Sequence, residues 1–318
     1  MDPSASGAAR YARHVMASTP LRYLHLDVFT STRFEGNQLA VFPQPPDLPA
    51  PLMQRIAAEM AFSESTFIYP PSAAGDVRMR IFTPAEELPM AGHPTIGSTF
   101  ALASEGTIAS GRDTFVFELG VGPTPVSLEW NGDELSFAWM TQPRPAFGAI
   151  AKNGPDLAAA IGVERADLDS GRPLQVVSCG VPYLYVPLTS RKAVDAVDID
   201  RRALTRVFAA SGIDEVPLFV FTTNTDDRDV KVYSRMLAPS FGITEDPATG
   251  SACGPLGCYL LQHGIVSPQE AQQMLCLQGV AMGRPSRIHI SIDGSTDVIS
   301  RVRVGGQAVL VGTGEVLL

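Results

Sequence analysis

The chain has 318 residues, 45% of them hydrophobic and 18% charged, with a formal net charge of −9. That supplies ample apolar material for a globular core, and an acidic balance gains nothing from the phosphates of nucleic acid, so neither a nucleic-acid role nor a disordered chain is expected. No apolar run approaches the ~20 residues of a membrane-spanning helix, and residues 1–19 lack the continuous apolar segment of a secretory signal; they read as a disordered leader of a cytoplasmic protein.

In chain order, Tyr23–Phe29 and Leu39–Phe42 read as strands around a loop containing Gly36. Pro51–Met60 reads as a helix, with Leu52, Ile56 and Met60 on one face. Ser65–Tyr69 and Val77–Phe82 return to strand, and Pro94–Ser104 is small and apolar, as a buried helix is. Phe115–Phe117, Thr124–Glu129 and Leu135–Trp139 complete a β-rich half. Gln142–Asp156, rich in Pro, Gly and Ala, reads as a connector. The second half offers strands at Leu174–Val177, Tyr183–Pro187, Leu218–Thr222 and Val230–Leu237, and helices at Arg201–Ala210 and Ala252–His263, the latter closed by Gly264. Arg287–Ile292, Asp297–Val304 and Ala308–Val311 read as terminal strands.

The halves repeat. Arg80-Ile81-Phe82-Thr83-Pro84 aligns with Arg235-Met236-Leu237-Ala238-Pro239, and His93-Pro94-Thr95-Ile96-Gly97-Ser98 with Asp246-Pro247-Ala248-Thr249-Gly250-Ser251, at nearly equal separation. A repeat this long suggests two homologous domains facing each other, not solenoid units. Proline suits the first turn of a helix, so His93 and Asp246 are expected at the N-caps of two helices. The free amides and dipoles of two facing helix starts form a seat for an acidic small molecule.

Glu64, in Phe62-Ser63-Glu64-Ser65-Thr66-Phe67, lies where a helix gives way to a strand among aromatic residues. A carboxyl in an apolar pocket holds its proton toward neutral pH and can give or take one there. Glu86 and Glu87 precede His93 and are candidates to orient it, whereas Glu59 reads as an exposed helical residue. Capping alone accounts for Asp246 as well as chemistry does, and His93 and Glu64 also fit purely structural roles. The four cysteines, Cys179, Cys253, Cys258 and Cys276, form no CxxC pair, and the histidines do not cluster, so buried reduced thiols and no metal site are expected.

Asp27-Val28-Phe29 with Phe34-Glu35-Gly36-Asn37, Ser63-Glu64-Ser65-Thr66-Phe67, Phe82-Thr83-Pro84 to Gly92-His93-Pro94-Thr95, Glu245 to Ala252, and Gln278-Gly279 with Gly283-Arg284-Pro285-Ser286 together resemble the PhzF-like phenazine-biosynthesis family, of the diaminopimelate epimerase-like fold. The resemblance implies an α+β protein of two pseudo-symmetric domains, each a β-sheet wrapped around a central helix, with the active cleft between them. Here those domains are 20–142, joined by the final strand at about 305–318, and 143–304. It also implies a metal-free, cofactor-free isomerase, commonly a homodimer, that moves a proton on a small acidic metabolite. By motif position Glu64 is the general acid/base, His93 and Asp246 assist it, and Ser63, Gly92, Gly250 and Ser251 bind substrate. Epimerases of this fold use two cysteines as bases; the resemblance sets His93 and Asp246 at the corresponding helix starts, with Cys253 further into its helix. A racemase working through Cys253 or Cys179 is therefore the weaker enzyme reading, and a non-catalytic ligand-binding or protein-interaction member of the fold is the alternative of another class.

Overall fold

The computed structural model describes residues 20–318, so the leader read into 1–19 lies outside the described residues. The first half runs through β1 (Pro20–Val28), β2 (Asn37–Phe42), α1 (Ala50–Met60), β3 (Glu64–Tyr69), β4 (Val77–Phe82), β5 (Glu87–Leu88), α2 (Gly92–Ser104), β6 (Thr114–Leu119), β7 (Gly122–Asn131) and β8 (Glu134–Gln142). The second runs through β9 (Ala146–Ala151), α3 (Gly154–Ala160), β10 (Leu174–Ser178), β11 (Pro182–Pro187), α4 (Arg191–Asp195), α5 (Arg201–Ser211), β12 (Leu218–Thr222), β13 (Val232–Ala238), β14 (Ile243–Asp246), α6 (Gly250–Gln262), β15 (Met274–Gln278), β16 (Ser286–Gly294) and β17 (Ile299–Gly306), before β18 (Ala308–Leu317) ends the chain.

Strand pairing repeats between the halves. β1 pairs antiparallel with β2, β2 parallel with β3, β3 antiparallel with β4, β4 parallel with β6, and β6, β7 and β8 follow antiparallel. β10 to β17 pass through the same series: antiparallel to β11, parallel to β12, antiparallel to β13, parallel to β15, then antiparallel through β16 and β17. The free edge of β1 takes β18 and that of β10 takes β9, both antiparallel, while β8 and β17 join the halves. The result is an α+β fold of two pseudo-symmetric domains, each sheet wrapped around one helix, α2 or α6.

Those two helices are central because their sequences carry no polar face. Gly92–Ser104 has no charged residue and buries ten of its thirteen positions; Gly250–Gln262 buries eleven of thirteen, Leu256, Tyr259, Leu260 and Leu261 among them. A proline in a helix interior costs about 3 kcal/mol, and α6 contains Pro255. Burial at about 1.5–3 kcal/mol for each large apolar side chain outweighs that several times over. The repeat also carries an ion pair in each half: Arg80 on β4 grips Glu87 on β5, and Arg235 on β13 grips Glu245 on β14, both through two hydrogen bonds. Each guanidinium ties a short outer strand, and the chain leading to the central helix, onto the sheet.

Two expectations are corrected. The stretch expected as a connector contains a strand, β9, and the start of α3. β9 is exposed at five of six positions, with no alternation to betray it, and owes its extended state to pairing with β10. Nor are His93 and Asp246 N-caps: the capping positions are Ala91 and Thr249. His93 is the second residue of α2 and Asp246 the last of β14. The first-turn amides have no helical partner anyway, so a proline fits at any of those positions, and Pro94 takes the third rather than the first. The motif alignment sets Gly97 against Gly250, but the residue that begins the first helix is Gly92.

Candidate active site

The starts of α2 and α6 meet head to head. A Cβ added at Gly92 would come within 3.1 Å of both the Gly250 Cα and the Ser251 backbone nitrogen, so the approach is built around a glycine at position 92. A cleft of about 1460 Å³ opens beside the junction, lined by Ser63, Glu64, Gly92, His93, Asp246, Gly250 and Ser251. All seven residues singled out by the sequence face this one cavity. Among the described residues no lysine or arginine lines it, which leaves the amides at the helix starts as its fixed positive features.

Glu64 reaches the cleft because α1 ends on Ala61 in the left-handed conformation (φ 54°), after which Glu64 opens β3 opposite Leu39 of β2. Its Oε2 stands 3.1 Å from His93 Nε2; both atoms are buried, and among the described residues neither makes a well-aligned hydrogen bond. Asn37, first residue of β2, donates from its side-chain amide to Asp246 Oδ1 at 2.8 Å and to the Ala248 carbonyl at 3.1 Å. Its two protons are thereby placed, and the His93 ring nitrogen 3.4 Å away is free to donate to the Gln38 carbonyl. That assigns the proton of His93 to Nδ1 and leaves Nε2 a lone pair. A lone pair 3.1 Å from a buried carboxyl oxygen repels a carboxylate there and so favours the protonated form of Glu64.

The electrostatics agree. Burial, with the Asp246 charge added, pushes the Glu64 carboxyl well above its ordinary range, while burial lowers His93 to about 3. Asp246 is raised by burial to about 6, held back by hydrogen bonds from Thr249, Asn37 and Ser63. Of the two carboxyls, Asp246 has the donors that stabilise an anion and Glu64 does not. Near neutral pH the site therefore holds one carboxylate, Asp246, and one carboxylic acid, Glu64.

Glu86 and Glu87 do not orient His93. Glu87 is taken by Arg80, and Glu86 is exposed beyond it. The residues that do the holding carried no assignment from sequence. Asn37 bridges the halves from the first to Asp246 of the second. Gln278 donates to the Asp246 carbonyl and to Thr249 Oγ1 and accepts from the Thr249 amide, which shapes the turn into α6. Arg284 pairs with Asp27 and donates to the carbonyls of Glu35 and Gly36, fixing the loop that delivers Asn37. Asn37, Gln278 and Arg284 all lie in the motif blocks, which was the one available signal.

Among the described residues no cysteine lines the cleft. All four cysteines are free and buried, and Cys253, the fourth residue of α6, is wholly enclosed. Burial, followed by its contact with Cys276, pushes the Cys253 thiol far up, and a hydrogen bond from Cys179 does the same for Cys258. Such thiols are poor nucleophiles. Iodoacetamide at pH 8 should leave the native protein unmodified by intact mass and label it fully in denaturant; rapid native labelling of Cys253 would restore a thiol-based reaction. Among the described residues no group of three His, Cys, Asp or Glu side chains is placed to hold a metal ion.

Comparison with known proteins supplies the family. Residues 26–314 match the model of the PhzC-PhzF family, described as phenazine biosynthesis-like protein. The chain is similar to a trans-2,3-dihydro-3-hydroxyanthranilate isomerase of Pseudomonas fluorescens, 36% identical over 93% of this chain and 99% of that one. Its fold is similar to that of a PhzF-family phenazine biosynthesis protein of Bacillus anthracis, with a TM-score of 0.85 at 26% identity over 94% and 100% of the two chains. It is also similar to a predicted epimerase of Pseudomonas aeruginosa, with a TM-score of 0.77 at 33% identity over 93% and 99%. The chain therefore belongs to the phenazine biosynthesis-like PhzC-PhzF family and is an isomerase.

Proposed function

We propose that Glu64 is the group through which the substrate proton passes, and that an amino-substituted, unsaturated cyclic carboxylate of the trans-2,3-dihydro-3-hydroxyanthranilate type is the substrate. The observation that carries the first part is the enclosed approach of Glu64 Oε2 to His93 Nε2 at 3.1 Å, with no competing partner for either atom among the described residues. The carboxyl gives a proton to one carbon and takes one from another. One C–H bond forms, one breaks, the double bond shifts between them, and Glu64 ends in its starting state. The free site already holds the proton on Glu64, so the donating step needs no prior change of charge. His93 accepts a hydrogen bond from the neutral acid and limits where it points. Asp246, ionised and held by three side chains, keeps Glu64 protonated between turnovers. The amides of Gly92, Gly250 and Ser251 take the substrate carboxylate and the negative charge that develops on it; Ser63 completes the wall.

The second part rests on charge. A cleft with no basic side chain and with Glu86, Asp214, Glu215 and Glu245 on its walls disfavours a dianion. A carboxylate accompanied by an ammonium suits it, and the named substrate of the Pseudomonas relatives carries both groups. In D2O the chain should convert trans-2,3-dihydro-3-hydroxyanthranilate with deuterium entering at the newly protonated carbon, because the Glu64 proton exchanges with solvent before binding. Unchanged substrate would sink the substrate class; conversion without deuterium would sink the donating role of Glu64. Two domains, 20–142 with the final strand and 143–304, a homodimer and a cytoplasmic address complete this reading, all three on the family resemblance. No described helix is long and apolar enough to cross a membrane.

A further inference from the structure

The two halves treat the second residue of their central helix alike. In the first, that residue is His93, faced by Asn37 from the start of β2. In the second it is Ser251, faced by Tyr183 from the start of β11, with the two oxygens 2.7 Å apart. Both Tyr183 and Ser251 line the cleft, and Tyr183 is only 4% exposed. Among the described residues Ser251 is the only hydrogen-bond partner of the Tyr183 hydroxyl. Tyr185, two residues along the same strand, gives its phenol to the Ala252 carbonyl at 2.6 Å and is sealed in the core. The strand thus presents two tyrosines to α6, one structural and one at the site.

We propose that Tyr183 is a positioning residue: its phenol donates to Ser251 Oγ and so turns the O–H of Ser251 into the cleft as a donor to the substrate carboxylate. A phenol is a stronger acid than an aliphatic alcohol, so between two hydroxyls the tyrosine is the donor and the serine the acceptor. Burial raises the Tyr183 phenol further from ionisation; the Ser251 hydroxyl offsets part of this and the nearby Asp246 carboxylate adds to it, so the proton stays on the ring oxygen. With its acceptor side occupied, Ser251 has its own proton left for the ligand. A hydroxyl without such an anchor rotates among several partners and loses directional donation when the carboxylate arrives. This inference rests on the placing of the substrate carboxylate at Ser251 in the proposed function.

The test is binding of anthranilate, a flat aminocarboxylate that is not turned over, measured by calorimetry on the full chain. Because no proton is moved, the result stands whether or not Glu64 performs the chemistry. Ser251→Ala and Tyr183→Phe should each weaken binding about tenfold. The double variant should bind no more weakly than Ser251→Ala alone, since without the serine the phenol has nothing to orient. Thermal melting of each variant checks that it is folded. In a second arm, 3-fluorotyrosine at position 183, a stronger donor of the same shape, should tighten binding. Wild-type affinity in a folded Tyr183→Phe, independent losses in the double variant, unchanged affinity with fluorotyrosine, or no anthranilate binding by the wild type would each overturn the proposal.

Discussion

Glu64→Gln should lower isomerisation and solvent-deuterium incorporation by about 10²- to 10⁴-fold, the usual range for loss of a positioned acid/base, and at the same time raise thermal stability. Glutamine matches the neutral carboxylic acid in shape and still donates to His93 Nε2, so the site keeps its geometry and loses only its movable proton. The stability change follows from the direction in which the pocket shifts the acid. The folded protein holds Glu64 well above the ordinary carboxylate value, chiefly through burial. Its favourable contribution is complete below the ordinary value and fades as pH rises through the raised one. Glutamine does not titrate. The gap between variant and wild-type melting temperatures should therefore open with rising pH across that window and be small in acid. A variant that retains wild-type exchange, or a gap that closes as pH rises, contradicts a protonated Glu64.

Gly92→Ala should lower activity by about tenfold, since the neighbours must give by a few tenths of an ångström where a displacement of about 1 Å at a reacting centre costs about 10²-fold, and destabilise the fold by about 1–3 kcal/mol, as overpacking does. The added methyl meets backbone atoms of Gly250 and Ser251 at 3.1 Å, and backbone at a helix start has no rotamer to escape into. The two helix starts must separate, and the amides that hold the substrate carboxylate separate with them. Gly312→Ala in β18 is the matched control: a Cβ there meets nothing within 4 Å and should leave both activity and melting unchanged. Wild-type turnover in Gly92→Ala would mean that the junction of α2 and α6 is not where substrate sits.

The sequence by itself determined the parts that depend on local pattern. Apolar helices at Pro94–Ser104 and Ala252–His263 could only be central, because a helix with no polar face has to be buried on all sides. The Arg80 and Arg235 blocks announced the twofold repeat, and each arginine holds the matching strand in its own half. The motif residues named Glu64, His93, Asp246 and the two glycines that now line one cleft. What the sequence does not carry is register. Proline is tolerated throughout the first turn of a helix, so the prolines do not mark the caps, which fall at Ala91 and Thr249. β9 and β14 exist through their partners, not their own periodicity, and were not visible before pairing. Above all, the protonation of the site is a tertiary property. Glu64 keeps its proton because folding strips it of water and sets a lone pair of His93 against it, while Asn37, Ser63 and Thr249, separate in sequence, converge on Asp246 and give the negative charge to that residue instead.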